Sequence, residues 1–105
     1  MLIFGIITLM NKEIKKIKLE IAPILKKHQV KRASVFGSYA RGENNKNSDI
    51  DILVELERGK TMIDLINLEM DIEKKTKRKI DLITFKSINP LIKKNILRDE
   101  VKIYG

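Results

Sequence analysis

The sequence predicts an α/β domain of the α+β kind, a small mixed sheet of three to four strands with helices packed mainly on one side. Three observations predict it. Apolar residues recur at helical spacing in some segments and at strand spacing in the segments between them. These segments follow one another as helix, strand, helix, strand, helix, strand, helix, without an internal repeat, a low-complexity tract or a linker. Finally, 105 residues suffice for one modest core and not for two.

The first ten residues, Met1 to Met10, form an apolar run without a charge. The run is too short to span a bilayer and lacks both a basic flank and a small-residue cleavage site, so no membrane association is expected. Residues 1–9 read as an upstream extension ahead of a natural start at Met10, or else as an added edge strand. Residues 10–105 then form a single domain. From Asn11, Ile14, Ile17, Ile21, Ile24 and Leu25 recur at helical spacing among lysines and glutamates. Pro23 either kinks this helix or opens its second segment.

Val30 to Phe36 is a short strand of small and branched residues closed by Gly37. Ser38 to Gly42 makes one or two helical turns, and Glu43 to Ser48 is a polar loop. Asp49 to Glu57 alternates, with Ile50, Ile52, Val54 and Leu56 on one face and Asp49, Asp51, Leu53 and Glu55 on the other. That is the pattern of a strand with one buried face. Thr61 caps a second long helix that sends Met62, Leu65, Ile66, Leu68 and Ile72 toward the core. Basic residues from Lys74 to Lys79 suit its C-terminal end. Ile80 to Thr84 is a third strand, Ser87 to Leu97 a helix with Pro90 in its first turn, and Val101 to Tyr104 a short closing strand.

Composition narrows the chemistry. Hydrophobic residues make up 43% and charged residues 34%, the balance of a soluble globular domain. With no cysteine and one histidine, the chain has no disulfide, thiolate zinc site or cysteine nucleophile, and a Ser-His-Asp triad is disfavoured. Any metal must be held by oxygen, which favours magnesium or manganese. The net charge of +8 comes mostly from lysines spread between Lys12 and Lys102, without an arginine-rich arm and with three Phe and two Tyr. Specific nucleic-acid binding is therefore not expected. The lysines read as a solvated surface, with a basic rim for a polyanion as the alternative.

Asp49 and Asp51 stand two apart on a strand, so both carboxylates leave the same face. Two acids held so close repel unless a proton or cation lies between them, and a hard divalent cation is the natural partner. Asp81 sits amid the apolar strand residues of Lys-Ile-Asp-Leu-Ile-Thr, an expensive place for an acid that binds nothing. If its strand neighbours that of Asp49 and Asp51, three carboxylates converge. Gly37-Ser38 lies at a strand-to-helix turn, where glycine permits close backbone approach and free amides suit a phosphate. Taken alone, Gly-Ser is also an ordinary helix cap, and Asp-x-Asp an ordinary strand end.

Gly37-Ser38, ten intervening residues and Asp49-Ile50-Asp51 together resemble the signature of the polymerase-beta-like nucleotidyltransferase superfamily. The fuller run from Phe36 through Glu43 and from Ser48 to Leu56 resembles the minimal nucleotidyltransferases, specifically the MntA-type antitoxins. The resemblance implies the nucleotidyltransferase fold. It implies that Gly37 and Ser38 contact the triphosphate of ATP, that Asp49 and Asp51 bind two Mg2+ ions as catalytic residues, and that Asp81 is the third metal-binding carboxylate. Arg41 lies one turn beyond Ser38, placed to reach a phosphate or to pair with Glu43.

By the same resemblance, the chain is expected to be a cytoplasmic protein adenylyltransferase of a toxin–antitoxin system, transferring AMP from ATP to a tyrosine of a HEPN-family ribonuclease toxin in a heteromeric complex. Two alternatives stand beside it: a non-catalytic antitoxin acting by binding, and nucleotidyl transfer to a small molecule or an RNA end. His28 near a helix end, Phe36 and Tyr104 as packing residues, and Glu55 and Glu57 as solvated acids carry no catalytic assignment.

Overall fold

The computed structural model describes residues 2–43 and 47–105, with side chains from residue 12 onward. The middle of the expected polar loop, residues 44–46, lies outside the described residues.

The first helix, α1 (Leu2–Lys27), is longer than expected. It takes in the apolar leader, so the edge-strand alternative does not hold, and Asn11 lies inside the helix rather than at its start. Between residue 6 and Asn11 the sequence offers neither proline nor glycine, and nothing breaks the hydrogen-bond ladder. Pro23 is carried on the exposed side of the helix. Opposite it, Ile14, Ile17, Ile21 and Leu25 form the buried stripe.

Strand β1 (Val30–Phe36) leads through a short helix, α2 (Gly37–Arg41), to β2 (Ile50–Leu56). Helix α3 (Met62–Thr76) then returns the chain to β3 (Ile80–Thr84), and α4 (Pro90–Asp99) precedes β4 (Val101–Tyr104). The sheet order is β3-β2-β1-β4. β1 runs antiparallel to β2 and to β4, while β2 and β3 are parallel across the α3 connection. This is the mixed four-stranded sheet that the alternating pattern predicts.

The stripe of α1 meets Leu65, Leu68 and Ile72 of α3 over one face of the sheet, formed by Ala33, Val35, Ile50, Ile52, Val54, Ile80 and Leu82. Ile21, Leu25, Ile50, Ile52, Leu68 and Ile72 are inaccessible to solvent, and each such side chain stabilises the fold by about 1.5–3 kcal/mol. The expectation of one buried face on β2 needs correction. Leu53 points the other way and is fully buried with Phe36 and Ile88, backed by Ile83, Phe85 and Ile96. A 3-10 turn at Phe85–Ser87 followed by α4 covers that part of the second face. A second correction concerns α3: Met62 and Ile66, expected in the core, are 68% and 48% exposed.

Helix α4 starts at Pro90 rather than Ser87, since proline suits the first helical position and disfavours helix in the residue before it. The Asn89 side chain caps it, accepting from the Leu91 amide at 2.9 Å. Helix α2 starts at Gly37 and is closed by Gly42 in the left-handed region, φ 72°.

Candidate active site

The strand register brings the two halves of the motif together. Asp51 of β2 stands across from Phe36 of β1 on one side and from Asp81 of β3 on the other. Gly37, the next residue after Phe36, therefore lies against the Asp51 side chain. Its φ of 70° already favours glycine. A β-carbon there would overlap the Asp51 carboxylate oxygen and sit 3.1 Å from its Cγ. Glycine at 37 thus serves two ends, the turn from strand to helix and the room that Asp51 occupies.

Asp51 and Asp81 are in hydrogen-bonding contact. Burial first, then the negative charges of Asp81 and Asp49, push the Asp51 carboxyl up to about 6 from an ordinary 3.8. Asp49 precedes β2, and its carboxylate lies 3.9 Å from the Lys79 ammonium. The Ile50 amide, donating to the Lys79 carbonyl at 3.0 Å, fixes the chain at that point. Asp49, Asp51 and Asp81 thus share one end of one sheet face. Among the described residues, no three acidic or histidine side chains are already closed around a cation position. The donor set is nonetheless all carboxylate oxygen, and the repulsion that raises Asp51 is the kind a hard divalent cation relieves. These residues fit such an ion.

Ser38 is half-buried in the first turn of α2. Arg41, one turn on, donates to the Glu43 carboxylate at 3.1 Å and lies 3.8 Å from that of Asp99. Its charge also acts on Asp51, lowering the proton affinity of that carboxyl.

Sequence reasoning missed three residues around this end. Tyr39 of α2 is 2% exposed, and its hydroxyl accepts a hydrogen bond from the Arg78 guanidinium. Arg78 also lies 4.0 Å from Glu13 of α1, tying α1, α2 and the start of β3 together. The third is Lys79. A parallel pairing of Ile50 with Ile80 would have placed it beside Asp49, but only once the two strands were known to be neighbours. His28, just past the end of α1, bonds Asp71 of α3 at 2.7 Å, and this bond lowers the proton affinity of Asp71.

A profile of the family described as Polymerase beta, Nucleotidyltransferase matches residues 19–105. A Methanocaldococcus jannaschii protein named provisionally as protein adenylyltransferase MJ0435 is 50% identical over 90 residues, which cover 86% of this chain and 97% of that protein. Protein adenylyltransferase MntA of Thermococcus cleftensis is 36% identical over 92 residues, covering 80% and 95%. Among solved structures, one described as a candidate minimal nucleotidyltransferase superposes with a TM-score of 0.75 at 28% identity, covering 86% of this chain and 92% of the other. An MNT antitoxin in complex with a tri-AMPylated HEPN toxin of Shewanella oneidensis shares the fold, with a TM-score of 0.66 at 19% identity over 85% and 70% of the two chains.

Proposed function

The chain belongs to the polymerase beta nucleotidyltransferase family, and from that premise we propose that it transfers AMP from ATP to a tyrosine of a HEPN-family toxin, acting as the antitoxin. The observation that carries this reading is the placing of Asp51 beside Asp81 with Gly37 packed against it. The relatives named as protein adenylyltransferases support a protein acceptor, and the antitoxin complex of the same fold supports a HEPN toxin as that acceptor.

In this reading Gly37 and Ser38 hold the triphosphate, Gly37 through its backbone and Ser38 through its hydroxyl. Asp49, Asp51 and Asp81 would hold up to two Mg2+ ions, which when bound supply charge neutralisation at the phosphates. The tyrosine oxygen attacks the α-phosphorus in line, and the bond from that phosphorus to the bridging oxygen of the β-phosphate breaks. Pyrophosphate leaves with the bonding pair. Asp81, at the edge of the acid cluster, takes the hydroxyl proton or passes it to water. Arg41, once released from Glu43, would offset charge on the phosphates.

The test is incubation of the chain with labelled ATP, Mg2+ and a HEPN-family toxin, comparing wild type with Asp49→Ala/Asp51→Ala. Label on the toxin only with the wild type is the expected result. A toxin silenced equally by both proteins without label would overturn catalysis and leave antitoxin action by binding alone.

A further inference from the structure

Away from the acid cluster, the far end of the sheet opens into a cavity of about 750 Å³. Its cations come from four separate parts of the chain: Lys31 and Arg32 on β1, Arg58 and Lys60 after β2, Lys86 in the 3-10 turn and Lys93 on α4. The lining acids are Glu55 and Glu57. Glu55 is taken up by Arg32 at 2.9 Å and Lys31 at 3.7 Å. Arg58, Lys60, Lys86 and Lys93 form no ion pair among the described residues, so the cavity presents a strong local positive field.

This cavity continues into an apolar stripe. Met62 lines it, and from Met62 the exposed residues Ile63, Ile66 and Met70 climb one side of α3, at 68%, 69%, 48% and 59% exposure in chain order. At 3.6 residues per turn the stripe is turned by about 145° from the buried face of Leu65, Leu68 and Ile72. Among the described residues, the helix therefore packs one apolar side, Leu65, Leu68 and Ile72, and leaves the other exposed.

We propose that the stripe and the basic cavity together dock an acidic, amphipathic segment of the acceptor protein, an inference that rests on the protein-acceptor reading above. Apolar side chains of the segment cover the α3 stripe, and its carboxylates meet the four unpaired cations. Two other occupants fit less well. A single nucleic-acid strand has no use for four exposed Met and Ile side chains, and the one aromatic ring that lines the cavity among the described residues, Phe85, is already covered by Arg32 at 3.9 Å. A second copy of this chain brings another net charge of +8 to a basic surface.

The probe is a dye-labelled synthetic helix-forming peptide of leucine and glutamate, with its leucines along one face, titrated with the full chain and followed by anisotropy. Wild type is expected to bind it. Lys60→Glu/Lys86→Glu and Ile66→Ser/Met70→Ser are each expected to weaken binding about tenfold or more. All four positions are exposed or partly exposed, so helicity by circular dichroism should be kept, and Arg58→Glu/Lys93→Glu provides a second charge pair should the first fail to fold. Absence of binding by wild type, or equal binding by either pair of variants, overturns the proposal. Tighter binding of labelled oligouridylate, lost in the charge pair and kept in the stripe pair, overturns it in favour of nucleic acid. Asp49→Ala/Asp51→Ala should bind the peptide as wild type does, so loss of AMP transfer with docking intact falls on the catalytic reading alone.

Discussion

At the scale of single residues, Asp51 shows what gathering acids at one end of a sheet does to the fold that carries them. Its carboxyl is held near a proton affinity of about 6, raised from 3.8 by burial and by Asp81 and Asp49. The folded chain thus binds this proton more tightly than the unfolded chain does. The associated stability is fully present below pH 3.8 and is lost as pH rises toward 6. Asp51→Asn removes both the titration and the repulsion. Urea denaturation in the absence of divalent cations should therefore show the stability of wild type, relative to this variant, falling across that window. Above pH 6 the variant should be the more stable protein while being inactive in AMP transfer, the opposition of stability and activity expected where acids are gathered for function. A difference between the two that does not change with pH would show that Asp51 titrates as an ordinary surface acid.

At the scale of elements, α3 shows both how much the sequence reveals and where it stops. Its start is local chemistry. Thr61 and Asp64 form a capping box, with the Thr61 amide donating to the Asp64 carboxylate at 2.7 Å and the Asp64 amide reaching the Thr61 hydroxyl at 3.5 Å. Thr61→Ala should destabilise the protein by about 1 kcal/mol in thermal or chemical denaturation, leaving the α1 packing untouched. Such caps need only neighbouring residues, and Thr61 is readable as one from the sequence. So are the bounds of β1, β3 and β4, where runs of branched residues end at glycine, charge or turn residues. The buried face of α3 is not local. Met62, Leu65, Ile66, Leu68 and Ile72 make an apolar arc too broad for one contact, and only the approach of α1 selects Leu65, Leu68 and Ile72. Leu53 escaped for a related reason, because the cover over the second sheet face comes from Ile88 and Ile96, far along the chain. The site divides in the same way. Gly37, Ser38, Asp49 and Asp51 are carried by one short motif, whereas Lys79 and Arg78 join them only through the pairing of β2 with β3 and the burial of Tyr39.

At the scale of the whole molecule, a chain of net charge +8 concentrates three acids at one end of one sheet face. The general field repels a dication, so any divalent ion must be held by that local cluster. Added monovalent salt screens the lysines from one another and stabilises every variant alike. A dication bound by the cluster acts differently: at ten times its dissociation constant it adds about 1.4 kcal/mol to the folded state, on the order of 5–10 °C in the melting midpoint of a domain this size. With ionic strength held constant, Mg2+ or Mn2+ should raise the midpoint of wild type, and a chelator should reverse the rise. Asp51→Asn/Asp81→Asn should keep the salt response and lose the dication response. Lowering the pH below 6 should weaken the wild-type response as well, since the proton on Asp51 competes for the same oxygens. An equal rise in wild type and the double variant would place the bound dication elsewhere and remove the acid cluster from the chemistry proposed for it.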